Sequence, residues 1–113
     1  MNTASASRFQ AFNLALDIIR SLCPLIVVLR QRHPKLAEQC ERAADSVALN
    51  LNEGRRRTGK DRLHLWRVAA GSADEVLACL LVAEAWGHLS REQTARALGL
   101  IDQELAICWK LTH

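Results

Sequence analysis

Ser46-Val47-Ala48-Leu49-Asn50-Leu51-Asn52-Glu53-Gly54-Arg55-Arg56-Arg57 is the stretch on which the fold turns, because it carries a helix to its end and opens a basic corner. At about 100° per residue, Ser46, Asn50, Glu53 and Arg57 fall at steps of four, three and four and form one polar line. That line borders an apolar stripe of Leu36, Cys40, Ala43, Ala44, Val47 and Leu51, so a second helix is expected from about 35 to 55. Gly54 is placed to end it in a left-handed conformation.

The same reading extends in both directions. Upstream, Phe12, Leu16, Ile19, Cys23 and Ile26 keep four-three spacing, which predicts a first helix over about 7–31 with Ser5 or Ser7 as its cap. Pro24 removes one backbone hydrogen bond inside that pattern, so a kink is expected there. Arg30-Gln31-Arg32-His33-Pro34 ends the helix, with cations at the negative end of its dipole. Downstream, Thr58 is a candidate cap for a third helix over about 60–86. Gly87 ends that helix, and Ser90 with Gln93 forms a capping box for a fourth helix over about 91–111, whose seam is Leu98, Ile101, Leu105 and Cys108.

Short connections between four amphipathic segments imply an all-α, antiparallel up-down-up-down four-helix bundle, a single domain over 1–113 with its first helix kinked at Pro24. Composition agrees. Half of the 113 residues are hydrophobic, only five are aromatic, and Gly and Pro total seven, too few for the turns of a small all-β fold.

The third helix carries two apolar lines. One is Leu63, Trp66, Ala70, Ala73, Leu77, Leu80 and Glu84; the other, about 100° away, is Leu65, Ala69, Ser72, Val76, Cys79 and Ala83. The second line is either the broad stripe of an ordinary central helix or a subunit contact. We assign Leu65, Ala69, Ser72, Val76 and Cys79 to an oligomer interface, with Gly71 among small neighbours admitting another helix closely.

Chemistry is sparse. His33, His64, His88 and His113 are scattered, and no His-Glu-x-x-His helix, nucleophile elbow or phosphate-binding glycine loop is present, so neither enzyme activity, nor a metal, nor a cofactor is expected. The four cysteines, Cys23, Cys40, Cys79 and Cys108, lie on or beside apolar faces and are expected to be buried thiols. The longest apolar run, Leu22 to Leu29, is far short of the roughly 20 residues of a membrane span, and the first residues lack a signal peptide's pattern. A cytoplasmic setting without membrane contact follows as the expectation.

The net charge is only +3, but Arg55, Arg56, Arg57, Lys60 and Arg62 stand against one nearby anion, Asp61. They are either helix-end charges or an anion-recognition patch for the phosphates of RNA or DNA. Trp66 fits the core better than it fits a base-stacking platform. Ser46, Asn50 and Glu53 are expected to hydrogen-bond across helices or subunits, with Arg57 or Arg67 as the partner of Glu53.

The run from Ser46 to Arg56, followed by Lys60 and then by Ala70-Gly71-Ser72-Ala73-Asp74-Glu75, resembles the four-helix-bundle family named after proteins encoded in 23S ribosomal RNA intervening sequences. The resemblance reaches from about Arg42 to Leu111; the chain departs from the pattern at Ala48, where many members have Pro, and at Asn52, where Ala is usual. It extends to the related accessory variability determinant proteins of diversity-generating retroelements. What it implies is a ring-shaped homo-oligomer, a pentamer, that associates with nucleic acid and with a reverse transcriptase or another protein. The competing expectation is a purely structural or protein-binding adaptor with no nucleic-acid role.

Overall fold

The computed structural model describes residues 9–113. Four helices follow one another: α1 (Gln10–Arg32), α2 (Pro34–Arg55), α3 (Gly59–Ala85) and α4 (Arg91–Thr112). Each packs on the next and α4 returns to α1, so the four close an antiparallel ring measuring 42 × 25 × 21 Å. The all-α bundle expected from the sequence is the fold. The proposed caps at Ser5 and Ser7 lie outside the described residues; Phe9 occupies the N-cap position of α1 without a side-chain bond.

α1 continues past Pro24 to Arg32. His33 alone joins it to α2. Its backbone N–H bonds to Leu29 O at 2.7 Å, and its Nδ1 accepts from the Leu36 N–H at 3.2 Å, capping the helix that Pro34 begins. Pro at a first helical position lacks only a donor that would have had no intrahelical partner, so it starts α2 as well as ending α1.

The α3–α4 corner is equally well defined. Gly87 takes φ 77°, His88 N–H bonds to Ala83 O at 2.9 Å and Gly87 N–H to Glu84 O at 2.9 Å. These are the two bonds of a Schellman ending, which needs a left-handed residue where only Gly is unstrained. Ser90 Oγ then accepts from Gln93 N–H at 3.1 Å while Gln93 Oε1 accepts from Ser90 N–H at 2.8 Å, completing the capping box.

α1 buries a line one step from the expected one, and α4 keeps half of its expected seam, Ile101 and Cys108. In α1 the buried residues are Ala11, Ala15, Ile18, Leu22, Leu25, Ile26 and Leu29, while Phe12, Leu16 and Ile19 are half-buried and Cys23 is exposed. Cys23 is therefore a surface thiol, unlike the other three cysteines. In α4 the buried line is Thr94, Ala97, Ile101, Glu104, Cys108 and Thr112, with Leu98 and Leu105 at its edge. α1 is by length and composition apolar enough to cross a membrane, an 18-residue window of it having mean hydropathy 1.9, but a core helix meets the same criterion and this one buries its inner line in the bundle.

α3 corrects the assignment of its second apolar line. The central buried residues are Ala69, Ala73, Val76, Cys79, Leu80 and Ala83, drawn from both lines. Ser72 of the second line bonds to Ser46 of α2, so that flank faces α2 and the opposite one faces α4. A helix in a four-membered ring has two neighbours, and two seams serve them both. Ala69, Val76 and Cys79 lie inside the protomer and present no surface to a second copy; Leu65 and Ser72 are half-buried. Gly71 is exposed, and a Cβ at that position would meet nothing within 4 Å, so no close helix approach inside the protomer explains it.

Candidate nucleic-acid interface

The α2–α3 corner brings all five expected cations to one end of the bundle and divides their duties. Gly54 does not end α2 in a left-handed turn. Among the described residues only Gly59 and Gly87 have positive φ, and Gly54 is a buried helical residue against which Trp66 packs. A Cβ at Gly54 would lie 2.6 Å from both Cδ1 and Nε1 of the indole. The residue is small because an aromatic ring crosses the helix there.

That crossing satisfies the end of α2. Trp66 Nε1–H donates to Leu51 O at 3.2 Å, Arg62 Nε–H to Gly54 O at 3.0 Å, and Arg62 Nη2–H to Arg55 O at 2.9 Å. The last carbonyls of a helix have no intrahelical donors, and a guanidinium serves two of them at once. The Arg62 guanidinium also lies over the Trp66 ring, 5.1 Å from its centroid, where the face of the indole attracts a cation. Thr58 holds the N-cap position of α3 without a side-chain cap bond.

Arg62 is thus a half-buried capping residue. Arg55 is half-buried as well: its Nη2 donates to Asn52 Oδ1 at 2.9 Å, and its guanidinium lies 5.9 Å from the Phe9 centroid, next to Trp66. Arg57 pairs with Glu53 through Nε at 3.0 Å and Nη2 at 2.8 Å, and the Glu53 carboxylate holds the Arg57 guanidinium above its ordinary pKa. Arg56 and Lys60 are exposed and enter no salt bridge among the described residues. Arg56, Arg57 and Lys60 therefore make the outward part of the corner, with Asp61 beside them.

The polar line is divided too. Ser46 Oγ meets Ser72 Oγ at 2.7 Å, and Asn50 Nδ2 donates to Ser46 O at 2.9 Å and to Ser46 Oγ at 3.0 Å. These three side chains form a chain of bonds linking α2 to α3. Glu53 stays on its own helix with Arg57, not Arg67.

One buried polar residue carries no signal in the sequence. Glu104 is fully buried in α4, among the described residues no partner reaches either carboxylate oxygen, and desolvation pushes its pKa up to about 8. Burial likewise pushes the Cys40 and Cys108 thiols up to about 12, so both are held as unreactive thiols. Among the described residues no three metal-ligating side chains come together.

A family model for the 23S rRNA-intervening sequence proteins matches residues 8–109. A crystal structure of a protein of unknown function from the S23 ribosomal protein family of Bacteroides thetaiotaomicron superposes with a TM-score of 0.79 over 90% of this chain and 97% of its own, at 17% identity. At that identity the likeness is one of fold. No curated protein matches the chain.

Proposed function

The chain belongs to the 23S rRNA-intervening sequence protein family, and from that premise we propose that it is a non-enzymatic, cytoplasmic, homo-oligomeric helical scaffold that binds the phosphate backbone of RNA or DNA through its α2–α3 corner. The observation that carries this reading is the outward set Arg56, Arg57 and Lys60, held on a corner that Arg62 and Trp66 fix from beneath. Cations on a fixed support meet phosphates at a smaller loss of conformational freedom than cations on a loose loop. Three phosphate contacts make a weak site, and repetition around an oligomer adds them up.

Leu49, 66% exposed on α2, and Val68, exposed on α3, are apolar side chains open to solvent on the two helices that form the corner, and they support self-association through these helices. The same apolar positions support the second reading, in which these helices dock a different protein such as a reverse transcriptase and the corner binds no nucleic acid.

The test is a salt titration. Three neutralised phosphates on a duplex give log K falling against log salt with a slope of about −2.7 per protomer. Replacing Arg56, Arg57 and Lys60 together by Ala should flatten that slope and remove most of the binding, with the circular dichroism spectrum unchanged. Arg62 and Arg55 are left in place because their contacts belong to the fold. Binding that survives the triple replacement with its slope intact would exclude the corner.

A further inference from the structure

The opposite end of the bundle carries a second grouping that no motif announced. Trp86, just past the end of α3, is 69% exposed. Its indole lies nearly parallel to the His88 imidazole, 23° between planes with centroids 6.5 Å apart, and His88 in turn meets His33 edge-on at 5.8 Å. The two corners are tied there by Arg32, whose Nη1–H donates to His88 O at 2.8 Å while the side chain stays exposed. Lys35 is exposed at the start of α2, and Arg91, almost fully exposed, reaches Glu84 only at 3.5 Å. Glu92 is the exposed acid in the first turn of α4.

We propose that this end is a second nucleic-acid site, specific for single strands, in which unstacked bases lie on Trp86 and the phosphates meet Arg32, Lys35 and Arg91. An exposed indole face offers nothing to a base already stacked in a duplex, but it can take one from a flexible strand, whatever its identity. The rings are held by elements that the fold fixes for its own reasons. Gly87 forces the turn that places His88, and His33 is committed to capping α2. His88 and His33 are therefore in place before any ligand arrives, with the exposed Trp86 indole beside them. The site stands apart from the α2–α3 corner, since α3 separates them by its whole length of 27 residues, about 40 Å at 1.5 Å per residue.

Surface apolar residues Leu81 and Val82 lie one turn before Trp86, which makes a protein contact the rival explanation. The experiment compares the wild type with Trp86→Ala and Trp86→Phe, using a fluorescein-labelled oligothymidylate and a labelled duplex, with light scattering on each variant. The expected result is a loss of about ten-fold in affinity for the single strand in Trp86→Ala, near-wild-type affinity in Trp86→Phe, and no change with duplex. Unlabelled oligothymidylate should quench tryptophan emission in the wild type and far less in Trp86→Phe. Unchanged single-strand affinity in Trp86→Ala overturns the proposal, as does a change in particle size without a change in binding. Because duplex binding is read alongside, a failure of the α2–α3 corner appears separately, in the Arg56, Arg57 and Lys60 variant.

Discussion

Glu104 sits on the central line of α4, with Ile101 in one apolar cluster and Cys108 in the other. A carboxylate taken out of water without a partner keeps its proton instead of its charge, which is why its pKa stands near 8 when an ordinary carboxylate titrates near 4.5. Between those values the folded protein holds a proton that the unfolded chain releases. The Glu104 contribution to stability therefore falls as pH rises from about 4.5 to about 8 and levels off above. Thermal melts across that range should show the decline, and Glu104→Gln, which cannot ionise, should lose the part of it due to this residue. Wild-type and Glu104→Gln curves with the same pH dependence over that interval would contradict the assignment. Nothing in the sequence marks this glutamate, because a Glu at a helical core position reads as a surface residue until its neighbours are known.

At the scale of the helix, two helical glycines have opposite meanings. Gly54 lies under the Trp66 ring, so Gly54→Ala forces the indole off its Leu51 carbonyl and should destabilise the bundle by about 1–3 kcal/mol. Gly71 has open space where a methyl group would go, so Gly71→Ala should stabilise α3 by up to about 1 kcal/mol. Urea unfolding of both variants should move the midpoints in opposite directions. If Gly71→Ala instead weakens self-association, another subunit packs against that glycine. The helix ends repeat the lesson. The Gly87 ending and the Ser90–Gln93 box are legible because all their parts are local, whereas the end of α2 is not, because its donors, Arg62 and Trp66, come from the next helix.

For the molecule as a whole, closure of the four helices decides which side chains the solvent reaches. Cys40, Cys79 and Cys108 are buried and Cys23 is exposed, so a thiol reagent should modify one cysteine in the native protein and four after denaturation. Rapid modification of more than one under native conditions would mean that the bundle opens readily.

The sequence by itself determined the four helices, the α1–α2 and α3–α4 corners, the buried stripe of α2 and the clustering of cations at one end. Those features follow from periodicity and capping chemistry within a few residues. Tertiary structure alone decided how the two apolar lines of α3 share the core, shifted the central line of α1 by one residue, and put Ala97 and Glu104 beside Ile101 and Cys108 in α4. It also turned both seams of α3 inward, withdrew Arg55 and Arg62 to interior duties, and set Trp86 beside His88 and His33. The reason is geometric: lines 100° apart on one helix are equally apolar to a one-dimensional reading, and only the positions of the two neighbouring helices select between them.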